Sequence, residues 1–572
     1  PQTPIPLHPT PSHPTPTPGL TMTTIRNPIL PGFNPDPSIV RVGDDYYVAT
    51  STFEWYPGVQ IHHSRDLVHW RLLTRPLTRA SQLDMRGDPD SCGVWAPCLT
   101  HADGKFWLIY TDVKRYARTS TPSASGASMR DFHNYLVTCE TIDGEWSDPV
   151  HLNSSGFDPS LFHDDDGRKY LLNMLWDWRP GHNRFGGIVL QEYAVKERRL
   201  VGERTNIFTG TAIGFTEAPH LYKRGGWYYL ITAEGGTFWD HSVTMARSRD
   251  LRGPYELHPD TYVLTARRRP ELPLQKSGHA DLVETPAGET YMVYLASRPL
   301  PNRGRSPLGR ETAIQPMVWS KDGWLRTTDG EGVPQLEVSA PALPPHPFPE
   351  PPARRDFDEP ALPIEFQWLR TPFPDRLFSL TARPGHLRLF GRETLGSWFT
   401  QSLVARRQQA HCFGAATLLE FEPRHYQQMA GLICYYGGNK FHYCYVSRDE
   451  TAGKHLRVLS AFPEGPASDA LTAPVPVPEG RRVELRCEVD YSRLHFAWRA
   501  EGDAEWRWLA EQFDASILSD EASAPGAPNF TGAFVGMACQ DLAGTGLAAD
   551  FDWFEYRERQ YVAAPGRRAA TT

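Results

Sequence analysis

A repeat restricts this chain more than any other feature. Asp36-Pro37-Ser38-Ile39, followed by Gly43-Asp44-Asp45-Tyr46-Tyr47-Val48, returns as Ala96-Pro97-Cys98-Leu99 with Asp103-Gly104-Lys105-Phe106-Trp107-Leu108. It returns again as Asp158-Pro159-Ser160-Leu161 with Asp166-Gly167-Arg168-Lys169-Tyr170-Leu171, and as Ala218-Pro219-His220-Leu221 with Gly225-Gly226-Trp227-Tyr228-Tyr229-Leu230. The fifth copy is Ala280-Asp281-Leu282-Val283 with Ala287-Gly288-Glu289-Thr290-Tyr291-Met292-Val293. The second residue of each copy falls at 37, 97, 159, 219 and 281, so the steps are 60, 62, 60 and 62 residues. Each copy reads as strand, tight Asp/Gly turn and aromatic-rich strand, and the rest of the period has room for two more strands. Four-stranded units repeated around an axis make a propeller, here of five blades. A solenoid would use a shorter period and expose apolar ends.

The second half differs. Residues 334–355 are proline-rich and read as a linker after a propeller at 25–333. Residues 356–562 hold apolar or alternating runs of strand length, such as Leu432-Ile433-Cys434-Tyr435-Tyr436 and Val483-Glu484-Leu485-Arg486-Cys487-Glu488-Val489, which predict a β-sandwich. The expected fold class is therefore all-β: a five-bladed β-propeller followed by a C-terminal β-sandwich. Residues 1–24, which alternate Pro with Thr, Ser and His, and the tail 563–572 are expected to be disordered.

Composition excludes several function classes. A formal net charge of -8 leaves no basic footprint for nucleic acid. No run of 18 apolar residues offers a membrane helix. The eight cysteines form no C-x-x-C pair and no zinc-finger spacing, which reads as scattered buried thiols in a reducing compartment. No charged-then-apolar leader is seen, so the expectation is a cytoplasmic protein.

The period also places the chemistry. Equivalent positions of successive blades face one region, and the start of an inner strand lies near the axis. Asp36, Trp95, Asp158, Glu217 and His279 all lie at or beside a repeat start and should converge on a central cleft. Taken singly, an Asp-Pro at a strand start is a turn, a histidine is a satisfied structural residue and a tryptophan is core. The shared register lifts the three acids above those readings. Two crowded carboxyls, one held protonated, are what acetal hydrolysis needs. Asp164-Asp165-Asp166-Gly167 has adjacent rather than alternating acids, and so reads as a hairpin turn and not a calcium loop.

A resemblance adds roles. Asn34-Pro35-Asp36-Pro37-Ser38, Ser51-Thr52-Phe53-Glu54-Trp55-Tyr56-Pro57-Gly58-Val59, Gly93-Val94-Trp95-Ala96-Pro97, Phe157-Asp158-Pro159-Ser160-Leu161, Thr216-Glu217-Ala218-Pro219-His220 and Leu308-Gly309-Arg310-Glu311-Thr312-Ala313 resemble the motifs of glycoside hydrolase family 43, in its two-domain β-xylosidase group. The likeness runs from about residue 25 to the end of the second domain. It implies that Asp36 is the general base, Glu217 the general acid and Asp158 the acid that tunes and orients Glu217. It implies that Arg310 reaches the sugar, and that Phe53, Trp95, Trp176, Thr237, Phe238 and His279 line the pocket. It implies no required cofactor, with His279 helping to hold a calcium ion or water on the axis. An aromatic from the sandwich should close the pocket, Phe530 or Phe534, with Phe530 preferred. The chain departs from the family in having Ala218 where glycine is commoner, and in a shorter loop between Arg298 and Leu308 beside the leaving-group subsite.

The leading reading is an inverting exo-β-1,4-xylosidase acting on xylobiose and short xylo-oligosaccharides, as a monomer or a homo-oligomer. An α-L-arabinofuranosidase, or an enzyme with both activities, uses the same scaffold. A retaining fructosidase shares the architecture but would need an N-D-P-N-type motif and an Arg-Asp-Pro motif, which this chain lacks. A non-catalytic sugar-binding propeller would have lost an acid.

Overall fold

The computed structural model describes residues 24–116, 129–301, 304–462, 470–523 and 529–559. The stretch 1–23 and the tail 563–572 lie outside the described residues. The described residues form strands and two single 3-10 turns, Pro374–Arg376 and Ala515–Ile517.

Five four-stranded antiparallel sheets follow one another in chain order. Their first strands are Ser38–Val42, Gly93–Ala102, Ser160–His163, Glu217–Arg224 and Gln275–Glu284, which open blades I to V. These strands touch one another around a closed ring, so they are the innermost strands of a five-bladed propeller. The turns explain the repeat. Ala102 pairs with Lys105 across Asp103-Gly104, and Arg224 with Trp227 across Gly225-Gly226. Both central residues are left-handed in each (φ 54 and 73; 56 and 74), as a two-residue hairpin matched to strand twist requires.

A propeller must join its first blade to its last. Asp281 of blade V accepts Ser38 Oγ and the Ile39 N–H of blade I, both at 2.8 Å, and also the Tyr222 hydroxyl of blade IV. Asn27 bonds both the N–H (2.9 Å) and the carbonyl (2.8 Å) of Ile314. The stretch read as a linker also takes part. Its strand Glu337–Ser339 pairs with Thr24–Arg26, and Phe348 sits under the Arg71 guanidinium, 4.7 Å from ring centroid to Cζ. Proline has no N–H to donate, and much of this stretch is docked on the propeller.

The second half forms two packed sheets. One runs from Phe378–Ser379 through Leu387–Phe390, Ala548–Glu558, Cys412–Glu420, Val483–Asp490 and Arg493–Ala500 to Arg507–Asp514. The facing sheet includes Gly453–Ala461, Lys440–Asp449, Gln428–Gly437, Phe534–Asp541, Leu403–Arg407 and Phe366–Leu369. The last of these pairs with Trp55–Tyr56 from blade I, so the propeller donates a strand to the sandwich. Trp55 is fully buried and stacks on Phe534 at 3.7 Å between centroids. Arg370 donates to Asp90 at 2.6 Å, and Asp90 accepts the Gly438 N–H at 2.8 Å. Two hydrophobic clusters each contain residues of both halves, so the halves share their core.

That shared core predicts cooperative unfolding. Trp55→Ala should cost about 3–5 kcal/mol, the range for emptying a large buried aromatic site. Calorimetry should show a single lowered transition; a propeller transition that moves while the sandwich transition stays put would refute the shared core.

Candidate active site

The backbone takes the same unusual conformation at the start of each inner strand. Asp36 (φ 56), Ala96 (39), Asp158 (54), Ala218 (53) and His279 (48) are all left-handed. In blades II, IV and V the pairing register shifts at this point, between Trp95 and Cys98, Glu217 and His220, and Gly278 and Ala280. In four blades the next residue is proline, which has no N–H to give to the ladder. A non-glycine residue held left-handed costs roughly 1–2 kcal/mol, and aspartate is among the residues that tolerate it. Repeated around the ring, the kink brings side chains onto the axis: its own residue in blades I, III and V, and the preceding one, Trp95 and Glu217, in blades II and IV.

Asp36 is the most firmly held acid. Its Oδ1 accepts Arg310 Nη1 at 2.7 Å and its Oδ2 accepts Ser51 Oγ at 2.6 Å. Ser51 Oγ in turn accepts the Ala96 N–H at 2.7 Å. Both partners of the Asp36–Arg310 pair are buried. Asp158 Oδ2 accepts the Ala218 N–H at 3.1 Å, which is the peptide that follows Glu217. His279 Nδ1 lies 3.7 Å from Asp36 Oδ1 and 4.0 Å from Asp158 Oδ2. The three acids and the histidine thus meet in one cleft.

Their protonation is divided by environment. Burial, then the Asp158 and Asp36 carboxylates, push the Glu217 carboxyl well above the usual range, against a smaller pull from Arg310. Burial and then Asp36 raise Asp158 likewise, opposed by the Ala218 N–H and Arg310. Burial, His220 and Arg310 hold His279 well below the usual imidazole value, so its ring is neutral. His241, whose ring lies where a side chain at Gly278 would go, is pushed down to about 3 by burial and by His279.

The walls are aromatic. Trp95 lies 5.3 Å from Phe53, 5.0 Å from Tyr116, 5.5 Å from Phe157 and 5.7 Å from Phe530, between centroids. Trp176 is half-buried against Tyr116 and Phe185. Phe530 comes from the sandwich: its N–H donates to Ser91 Oγ at 3.0 Å and its carbonyl accepts Arg310 Nη2 at 2.8 Å. Phe534, the other candidate, lies in the domain interface on Trp55 and not in the cleft. The loop between Arg298 and Leu308 meets the sandwich where the Ser306 N–H donates to Glu521 Oε2 at 2.9 Å.

Phe238 is 56 % exposed and Thr237 half-buried, so Phe238 stands at a rim and not in a closed wall. Phe238 follows Gly235 and Gly236, both left-handed, after the second strand of blade IV. Tyr116, Phe157, Ser51, Ser91 and His241 belong to the site but were not singled out from sequence. Tyr116, Ser51, Ser91 and His241 lie outside the repeat starts that the period marks, whereas Phe157 precedes its repeat start as Trp95 and Glu217 precede theirs.

Calcium takes six to eight oxygen ligands. The carboxylate oxygens nearest His279 already serve Arg310 and the Ala218 N–H. Among the described residues, no group of three or more His, Cys, Asp or Glu is placed to hold a metal ion. The side chains around His279 do not make a calcium cage. The Asp164 turn is likewise an ion-paired hairpin, with Asp164 accepting Lys223 Nζ at 2.6 Å.

Comparison with known proteins agrees with this geometry. Residues 25–325 match the model of glycosyl hydrolases family 43, and residues 354–557 match that of the β-xylosidase C-terminal concanavalin A-like domain. A Humicola insolens protein described as xylosidase/arabinosidase 43B is 52% identical over 554 residues, covering 94% of this chain and 99% of its own. A Bacillus subtilis (strain 168) β-xylosidase is 50% identical, covering 94% and 100%. The crystal structure of a xylan β-1,4-xylosidase from Bacillus halodurans C-125 superposes with a TM-score of 0.90 at 52% identity, covering 93% of this chain and 100% of that one. Enzymes of the family invert the anomeric centre and generally need no cofactor. On these grounds the chain belongs to glycosyl hydrolase family 43.

Proposed function

We propose that this enzyme removes xylose from the non-reducing end of xylobiose and short β-1,4-xylo-oligosaccharides, with Asp36 as general base and Glu217 as general acid. The observation that carries the reading is the split within one cleft: Asp36 ion-paired to Arg310, and Glu217 held protonated by burial and by its acidic neighbours. Protonated Glu217 gives its proton to the glycosidic oxygen as the bond to the anomeric carbon breaks. Asp36 takes a proton from the water that attacks the opposite face, so the product has inverted configuration. Asp158 raises Glu217 electrostatically and holds the adjoining peptide through Ala218. Trp95, Phe53 and Phe530 offer apolar faces to one sugar. A pocket closed from the sandwich side by Phe530 supports exo action, since a polymer could not thread through it. Eight buried, unpaired thiols support a reducing, cytoplasmic setting.

An α-L-arabinofuranosidase activity is the second reading, favoured by the xylosidase/arabinosidase described above. Proton NMR of xylobiose hydrolysis, with an aryl arabinofuranoside alongside, separates the two. We expect α-xylose before mutarotation; arabinose without xylose would overturn the first reading. Glu217→Gln should lose about 10²–10⁴-fold on xylobiose and much less on aryl xylosides whose leaving group needs no proton. Equal losses on both would remove Glu217 from the acid role.

A stability measurement tests the same assignment. Below the ordinary carboxylate range Glu217 is neutral whether the chain is folded or not. As pH rises through that range the unfolded chain releases the proton first, so the folded state loses stability until the raised folded pKa is passed. Glu217→Gln has no such loss. Its Tm should exceed that of the wild type by more at pH 8 than at pH 4.5; a pH-independent difference would contradict the raised carboxyl.

A further inference from the structure

The peptide bond between Phe530 and Thr531 is hydrogen-bonded on both edges, each from a different domain. Its carbonyl accepts Arg310 Nη2 of the propeller at 2.8 Å, and its N–H donates to the Tyr436 hydroxyl of the sandwich at 3.0 Å. A trans peptide is planar, with these two groups pointing opposite ways. The contacts therefore clamp one rigid plane between Tyr436 and Arg310. Thr531 Oγ1 adds a bond to the Tyr436 carbonyl at 3.4 Å.

Tyr436 lies in the strand Gln428–Gly437 and is buried. A phenol has one proton to give and lone pairs to accept with. The Tyr436 proton goes to Asp520 Oδ1, which leaves the lone pairs for the Thr531 N–H. Asp520 sits on a segment tied to both domains: Glu521 accepts Lys276 Nζ and the Ser306 N–H of the propeller, and Ser519 O accepts Lys440 Nζ of the sandwich at 2.6 Å. From Asp520 the bonds run through Tyr436, the 530–531 peptide and Arg310 to Asp36 Oδ1. Each donor in such a chain polarises the next.

We propose that Tyr436 and Asp520 are positioning residues for the hydrolysis: acting through the 530–531 peptide, they fix Arg310, and through it the Asp36 carboxylate, in the orientation that takes the proton from water. The inference rests on Asp36 being the base. Neither residue touches the cleft, and neither belongs to a repeat. Without the Tyr436 hydroxyl the N–H edge of the peptide is free, the plane can tilt, and Arg310 keeps Asp36 but loses its own anchor.

The test is a double-mutant cycle on an activated aryl β-D-xyloside, with Tm recorded for every variant. Tyr436→Phe keeps the ring and removes only the hydroxyl. We expect kcat/KM to fall by about tenfold to a hundredfold, as for a hydrogen bond lost from a buried network, mostly in kcat and with Tm lowered only slightly. In an Arg310→Met background the same change should cost less than about twofold, because its route to Asp36 is gone. Asp520→Asn should repeat the pattern, and it carries the test if Tyr436→Phe does not fold. Full kcat/KM in Tyr436→Phe, or an undiminished loss in the Arg310→Met background, would overturn the inference. The substrate reading fails separately, if the wild type hydrolyses only the aryl arabinofuranoside, on which the cycle is then run. The base assignment fails separately too, if Asp36→Ala stays active.

Discussion

The Arg310–Asp36 ion pair is the contact through which the rest of the molecule is joined. Placing two charges out of water costs several kcal/mol each unless the remaining donors and acceptors are met. Here most are met, from two sides, while Arg310 Nε is buried without a hydrogen-bond partner among the described residues. Ser51 serves the second carboxylate oxygen, and the Phe530 carbonyl takes the other guanidinium nitrogen. Asp36 belongs to blade I, Arg310 to blade V and Phe530 to the sandwich, so the pair and its Phe530 anchor come together only when the ring is closed and the second domain is docked. Ring closure near Asp281, the strand donated by Trp55–Tyr56 and the chemistry of the cleft are thus one structural problem and not three.

Three carboxyls in one cleft would be equivalent without this asymmetry. The guanidinium sits on Asp36 alone and acts on Asp158 and Glu217 only from farther off. With Asp36 held by the cation, its charge works against ionisation of the other two, and burial adds to that. The ion-paired acid and the raised acids thus differ, and the proposed two-carboxyl mechanism rests on that difference. The left-handed backbone at the five strand starts belongs to the same arrangement. It is unfavourable locally, and it persists because prolines, register shifts and neighbouring blades leave the chain no alternative.

Much of this was legible in the sequence because a period marks equivalence. The steps of 60 and 62 residues point to five blades, and their register points to Asp36, Trp95, Asp158, Glu217 and His279 as neighbours. Contacts that break the period leave no such trace. Nothing in Trp55-Tyr56 announces that this pair extends the sheet of another domain, since its pairing partner Leu369-Trp368 lies more than three hundred residues away. Tyr116, Ser91 and His241 are single residues at positions their counterparts in other blades do not share.

A propeller by itself has an axial cleft open to solvent at its end, where water would screen the Asp36–Arg310 pair and lower Glu217 toward an ordinary acid. Placing Phe530 against Trp95 and Tyr116 removes that water and so preserves both states at once. The backbone of Phe530 does the complementary task, because its carbonyl replaces the water that Arg310 would otherwise bind. A side chain alone could be replaced by another apolar group; a carbonyl aimed at a buried guanidinium requires a fixed peptide plane. That requirement explains why the sandwich meets the propeller through buried polar contacts at Phe530, Glu521 and Ser91, and not through apolar packing alone.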